Sequence, residues 1–365
     1  MDFLRNDLQH LENYKVMDEA VHNLGDNENR LIDWSFLLDK LASKLQITDL
    51  TYYGDNRYQE LLESYASYIG YPSNYLVQGV GSDQLLHMVL TTFLQTGDQL
   101  LTLDPDFFMY QVYSQLQEIK VFGVPLDEKE NGLLSFPLER LLAKAEETNS
   151  KMILFSNPNN PSSVAYPRLV IESLLQSYQG IVVVDEAYID FAEVESVIEL
   201  VEHYPNLIVL RTLSKAFGLA GLRLGFAICQ PHLAQAIDKV LPPYSMPNIV
   251  ARIGSLALEN HSKVTSSVAA IKAIRQDFSA FLTSLPEMRV LPSQTNFLTF
   301  TSPYAEEIFR QASEKGYRFK YYQTGFLKNY IRLSIGWAEE MEGLKEIIRE
   351  IVEKKTGWDY ISSTS

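Results

Sequence analysis

Four short polar clusters in this sequence carry side chains of the kinds that do chemistry. Residues 156–163 read Ser-Asn-Pro-Asn-Asn-Pro-Ser-Ser, and residues 185–188 read Asp-Glu-Ala-Tyr. Arg211-Thr-Leu-Ser-Lys215 continues to Arg223, and Gly79-Val-Gly-Ser-Asp83 opens an amphipathic segment. Taken singly, each has a plain explanation. Asn-Pro-Asn-Asn-Pro makes a turn, Asp185 caps a helix, and a lone lysine is usually a solvated amine. Gly79-x-Gly81 is a weak nucleotide fingerprint, because Gln84 stands where a third glycine belongs. Taken together, they are the set that pyridoxal 5′-phosphate (PLP) chemistry requires. An amine must form a Schiff base with the cofactor's aldehyde, and a carboxylate must keep the pyridine nitrogen protonated so that the ring draws electrons. The phosphate needs a cation and free amides at a helix N-terminus. Lys215 offers the amine, Asp185 the carboxylate, Arg223 and Ser214 part of the cradle, and Gly81-Ser82-Asp83 the amides. Tyr188 and Asn160 are placed to bond the cofactor's phenolic oxygen.

Elements that must hold these residues are legible around them. Residues 151–155, 181–184, 207–210 and 224–228 are continuous apolar runs, and helical patterns separate several of them. That alternation predicts a mostly parallel sheet covered on both faces. Ligands in such sheets bind beyond the carboxyl ends of the strands, which is where the polar clusters fall. Residues 83–94 predict a helix, with Leu85, Leu86, Val89, Leu90, Phe93 and Leu94 on one stripe. Past Leu241 the character changes. Pro242, Pro243 and Pro247 break the chain, and long helical patterns follow over 248–285. A hairpin-like pair of runs (297–300 and 330–335) and an amphipathic closing helix through Leu344, Ile347, Ile348 and Ile351 complete a second, α+β part.

Residues 211–227, RTLSKAFGLAGLRLGFA, resemble the lysine signature of fold-type-I aminotransferases, and VVVDEAYIDF (182–191) resembles their Asp-x-x-Tyr strand. The nearest resemblance is to histidinol-phosphate aminotransferases and their aromatic-amino-acid relatives. It runs from Tyr14 through Asn27-Glu28 and Tyr53-Gly-Asp55 to Arg332-Leu-Ser-Ile-Gly336. It implies an α/β PLP-dependent transferase fold: a large domain over 42–245, and a small domain of 1–41 plus 246–365. Lys215 then corresponds to the Schiff-base lysine, Asp185 to the pyridinium partner, and Tyr188 and Asn160 to the groups on the phenolic oxygen. Tyr110 corresponds to the aromatic stacked on the ring. Ser82, Asp83, Thr212, Ser214 and Arg223 correspond to the phosphate site. Tyr53 corresponds to a tyrosine that reaches the neighbouring subunit's phosphate, so a homodimer is implied. Arg332 corresponds to the arginine that clamps the substrate carboxylate, a bidentate task, with Tyr14 and Lys320 beside it. Bound PLP, an amino donor and a 2-oxo acid such as 2-oxoglutarate follow as the expected cofactor and partners.

Three departures bear on the substrate. The family's Asn-Pro-Thr-Gly is Asn160-Pro-Ser-Ser163, and its Gly-Thr-Arg-Glu-Glu is Gly336-Trp-Ala-Glu-Glu340. A second arginine that helps hold the substrate phosphate becomes Lys320, with Arg318 as an alternative; a lysine lacks the guanidinium fork. With Trp337 taken as part of the site, these changes lead to an expectation of aromatic amino acid transamination. Histidinol-phosphate transamination is the alternative, and a PLP-dependent decarboxylase or lyase on the same fold stands behind both.

Composition narrows the rest. The chain has 365 residues with 31 Lys+Arg and 46 Asp+Glu, a formal charge of −15, which argues against nucleic-acid and membrane-surface binding while allowing a local basic pocket. A single cysteine, Cys229, rules out an intrachain disulfide and a cysteine-based zinc site. The six histidines lie scattered, and no metal site is expected. The opening MDFLRNDLQH has no apolar signal core, and no run is long enough to span a membrane. A cytoplasmic enzyme is the expectation.

Overall fold

The structure is a computed structural model that describes residues 20–55, 58–129 and 133–357. Tyr14 lies outside the described residues.

Seven strands form the central sheet: β1 (Leu76–Val80), β2 (Gln99–Asp104), β3 (Lys120–Pro125), β4 (Met152–Ser156), β5 (Ile181–Asp185), β6 (Leu207–Thr212) and β7 (Leu224–Cys229). Their order is β1-β7-β6-β5-β4-β2-β3. Strands β6, β5, β4, β2 and β3 pair in parallel, and β7 pairs antiparallel with both β6 and β1. Six strands therefore share one direction and β7 alone runs against them. That reversal matters for the site. The carboxyl ends of β4, β5 and β6, the end of β1 and the start of β7 all reach the same rim.

Val182–Val184 and Leu207–Leu210 are wholly buried, as parallel strands covered on both faces require. At roughly 1.5–3 kcal/mol for each large apolar side chain removed from water, these central strands anchor the sheet. One face packs against the helix Gly81–Phe93 (α1) through Leu85, Leu86, Val89 and Leu90. The stripe expected over 83–94 is thus present, with the helix beginning two residues earlier, at Gly81.

Strands β1, β2 and β3 are absent from the sequence reading. Gln78 and Gly79 interrupt β1, Thr102 interrupts β2, and β3 carries the exposed Lys120, so none is a continuous apolar run. The helical stretch over 248–285 is two helices, Asn248–Glu259 and Ser262–Ser284. A four-stranded antiparallel sheet follows: β8 (Arg289–Val290), β9 (Phe297–Thr301), β10 (Lys320–Tyr321) and β11 (Tyr330–Ser334), in the order β8-β9-β11-β10. The expected pair of runs meets here as β9 and β11, although a helix over Ala305–Glu314 lies between them in the chain. The closing helix is Ala338–Thr356, with Leu344, Ile347, Ile348 and Ile351 buried. Upstream, His22–Asn23 pairs with Tyr317–Arg318, which fastens an N-terminal strap to this second part.

Candidate active site

Asp185 ends β5 and is 4% exposed. Its Oδ1 accepts the Ala187 amide at 3.1 Å and its Oδ2 accepts the Tyr110 hydroxyl at 3.1 Å. Among the described residues no basic side chain pairs with it. Burial pushes its carboxyl up to about 6, against the pull of the Ala187 amide and the Tyr110 hydroxyl. A buried acid without a cation is costly unless a ligand supplies one.

Lys215 follows β6 and donates to the carbonyl of Asp26 at 2.9 Å, with its ammonium 5.8 Å from the centre of the Tyr188 ring. Tyr188 sits three residues beyond Asp185 in the turn after β5 and is buried. Its hydroxyl oxygen accepts the side-chain amides of Asn160 at 3.4 Å and Asn27 at 3.0 Å. Arg332, on β11, donates from Nη1 to Asn160 Oδ1 at 2.7 Å and from Nη2 to the Gly25 carbonyl at 2.6 Å. Arginine has only donors, so Asn160 must turn its oxygen to Arg332 and its amide to Tyr188. The Nε of Arg332 is buried and has no hydrogen-bond partner among the described residues.

On the same rim, Arg223 precedes β7 with a left-handed backbone (φ 53°). It reaches Asp83 Oδ2 at 2.6 Å and Ser214 Oγ at 3.4 Å. Thr212 Oγ1 donates to Ser214 Oγ at 2.9 Å, and the Ser214 amide donates back to Thr212 Oγ1 at 3.1 Å. Ser82 and Asp83 lie in the first turn of α1, where amides are free and the helix dipole favours an anion. Two glycines keep this corner open. A Cβ at Gly81 would come within 2.6 Å of Arg223 Nη2, and one at Gly225 within 2.7 Å of the Ser82 nitrogen. Gln84 does not block the corner. It turns back to accept the Val80 amide at 2.7 Å.

The structure therefore brings together Ser82, Asp83, Tyr110, Asn160, Asp185, Tyr188, Thr212, Ser214, Lys215, Arg223 and Arg332. Lys320 joins them from β10, where it is the register partner of Arg332. Tyr53 stays apart. It is 82% exposed and stacks on Tyr244 with ring centres 4.6 Å apart. Arg318 is already engaged, with its guanidinium on Asp26 at 3.1 Å and on Asn23 at 3.2 Å. Trp337 lies half exposed at the start of the closing helix.

Two residues of the site have no role assigned in the sequence. Asn27, part of the Asn27-Glu28 resemblance, arrives on the strap rather than at the end of a central-sheet strand. Asp106 accepts the Ser156 hydroxyl and, at 3.1 Å, the Ser156 amide, which ties the 156–163 loop to the segment leading into Tyr110. Ser163, which replaces the family glycine, keeps the left-handed backbone (φ 67°) that a glycine adopts freely.

The donor set fits PLP. A buried carboxylate lacks its cation, an amine stands near it, and an anion cradle of Arg223, Ser82 and Ser214 is kept open by Gly81 and Gly225. Comparison with known proteins agrees. Residues 19–351 match the family model "Aminotransferase class I and II". The chain is 33% identical over 348 residues to histidinol-phosphate aminotransferase of Chlorobaculum tepidum, covering 94% of this chain and 99% of that one. It is 30% identical to the Clostridium kluyveri enzyme of the same name, covering 90% of this chain and 92% of that one. The crystal structure of histidinol-phosphate aminotransferase from Sinorhizobium meliloti in complex with PLP superposes with a TM-score of 0.85 at 24% identity, over 96% of this chain and 99% of that one. Fold, donor set and sequence agree that this chain belongs to the class I and II aminotransferases, as a PLP-dependent transaminase of fold type I.

Proposed function

We propose that the enzyme transfers the amino group of histidinol phosphate to 2-oxoglutarate. The observation that carries this reading is a pair of cations facing one another across β10 and β11. Lys320 and Arg332 are register partners, and the Lys320 ammonium has no hydrogen-bonding or ionic partner among the described residues. Burial and the adjacent Arg332 both hold its pKa below the ordinary lysine range. Two adjacent cations, one of them unpaired, suit a phosphomonoester better than an uncharged aromatic ring. The relatives named above point the same way. The two sequence arguments for an aromatic donor lose support, since Trp337 caps a helix and Lys320 keeps a positive charge where the arginine would be.

Within this reading the side chains divide the work. PLP, when bound, supplies the electron sink. Asp185 holds the ring nitrogen protonated, while Tyr110 packs on the ring. Arg223, Ser82, Asp83, Thr212 and Ser214 hold the phosphate. Lys215 anchors the cofactor and moves the proton taken from the substrate Cα, a general-base role. Arg332 and Lys320 hold the donor's phosphate, and Arg332 alone serves the carboxylate of glutamate. Tyr53 belongs to the neighbouring subunit's phosphate site. The exposed Ile47, Leu50, Tyr52, Tyr53 and Tyr244 supply an apolar surface for a second copy. We assign 42–245 to the large domain and 1–41 plus 246–365 to the small one, and we place the enzyme in the cytoplasm; no helix of the described residues is long and apolar enough to cross a membrane.

The test is kcat/KM for histidinol phosphate, phenylalanine and tyrosine, each with 2-oxoglutarate. Histidinol phosphate should lead by about tenfold or more, a transition-state preference of about 1.4 kcal/mol. Lys320→Met should raise KM for histidinol phosphate and leave the phenylalanine reaction nearly unchanged. An aromatic donor ahead by the same margin refutes the assignment.

A further inference from the structure

We propose that Asn27 is a positioning residue that fixes the polarity of the Tyr188 hydroxyl and so aims its proton at the cofactor's phenolic oxygen. The inference rests on the reading that Tyr188 faces that oxygen. Tyr188 Oη receives two amide donors, from Asn160 Nδ2 and Asn27 Nδ2. Its own proton has no acceptor among the described residues. A phenol oxygen already occupied by two N–H groups can only donate outward. One amide would leave a lone pair free and the hydroxyl able to turn.

Asn27 is built for this task and for little else. Its backbone is left-handed (φ 55°), a region that asparagine tolerates better than most residues. Ser334 Oγ accepts its amide N–H at 2.9 Å and donates to its Oδ1 at 2.9 Å, and Asn296 Nδ2 donates to its carbonyl at 2.9 Å. Ser334 ends β11 and Asn296 immediately precedes β9, so the four-stranded sheet holds the residue by its backbone N–H, its backbone carbonyl and its side-chain Oδ1, leaving only Nδ2. That remaining group is spent on Tyr188, which the large sheet carries. The neighbouring strap residues do parallel work. The carbonyl of Gly25 receives Arg332 and that of Asp26 receives Lys215. Asn27 thereby ties the position of the substrate-binding strand β11 to the acid–base setting of Tyr188.

A donor on the phenolic oxygen favours the more negative form of the bound cofactor and so lowers the pKa of its visible absorption band. The charged and titratable groups around Tyr188 and its partners are Lys215, Asp185, Arg332, Tyr110 and Tyr322, with the Asp26 carboxylate paired to Arg318, and none of them is substituted in the variants that follow. Asn27→Gly removes the amide while accepting the left-handed backbone. Asn27→Asp keeps the shape and the Ser334 bond but turns an acceptor toward Tyr188.

The experiment is a spectrophotometric pH titration of the PLP-loaded enzyme, with PLP release and the thermal transition of the PLP-free protein measured beside it. Asn27→Gly should raise the band pKa by about half a unit and Asn27→Asp by about one unit or more. Tyr188→Phe should raise it at least as far, and adding Asn27→Gly to Tyr188→Phe should change it no further. Asn27 variants that titrate like the wild type while Tyr188→Phe is shifted overturn the proposal. So does an Asn27→Gly shift that persists in the Tyr188→Phe background. If Tyr188→Phe itself leaves the band unmoved, the placement of Tyr188 is wrong, and the role of Asn27 falls with it.

Discussion

Asp185 answers to two demands that oppose each other. Cofactor chemistry wants an ionised carboxylate at the end of β5, whereas the protein around it is dry and, among the described residues, pairs no cation directly with it, Lys215 acting only from a distance. Its native pKa of about 6 lies above the ordinary aspartate value of 3.8. The native state of the PLP-free protein therefore binds this proton more tightly than the unfolded chain does, and stability falls as pH rises through this interval. The penalty is absent below the unfolded value and complete above the native one, with a size of about 1–3 kcal/mol. Asp185→Asn removes it. We predict that the PLP-free Asp185→Asn protein resists urea better than wild type at pH 8, measured at one protein concentration, and that the advantage shrinks by pH 5. The same variant should lose about 10²-fold or more in turnover, on the scale of deleting a preorganised electrostatic partner. Equal urea midpoints at pH 8 would mean that the carboxylate is not destabilised where it stands.

At the scale of elements, the phosphate corner depends on how closely the start of β7 approaches the first turn of α1. Gly225 sits between Thr212 and Gly79 in the sheet. A methyl group there would meet the Gly81 carbonyl carbon at 2.6 Å and the Ser82 nitrogen at 2.7 Å, both backbone atoms that no rotamer change can clear. Gly225→Ala should therefore push α1 off the sheet, lowering stability by about 1–3 kcal/mol and speeding PLP loss. Chemical unfolding and the rate of PLP transfer to a scavenger would show both, and normal PLP retention would count against the cradle. The corner also shows what sequence could and could not reveal. Strands β4 to β7 are legible because each is a continuous apolar run with a polar cluster beside it, after β4, β5 and β6 and before β7. Strand β1 is not, since Gln78 and Gly79 break the run. Asp83 and Arg223 could be nominated one at a time, but their 2.6 Å contact depends on the reversed direction of β7, which no local pattern encodes. Asn27 is harder still, because its part is set by Ser334 and Asn296, about 270 to 307 residues further along the chain.

Viewed as a whole molecule, the chain carries one expected phosphate ligand on the wrong surface. Tyr53 is 82% exposed, and Ile47, Leu50 and Tyr52 around it are also exposed, each by more than 60%. A tyrosine that served its own chain's Arg223 corner would be expected to face it. An outward apolar cluster on an acidic protein is more simply explained by a two-fold partner, whose symmetry would return the favour at the second site. This arrangement can be tested by complementation. Lys215→Ala and Tyr53→Phe subunits should each form weak or inactive homodimers. Mixed and allowed to exchange, they should form heterodimers in which the subunit with Lys215 receives Tyr53 from the other chain. Random exchange would put half the dimers in that state with one complete site each, so activity should recover to about a quarter of wild type. Exchange demonstrated by mass with no recovery would place Tyr53 outside the partner's site, and the exposed cluster would then need another occupant.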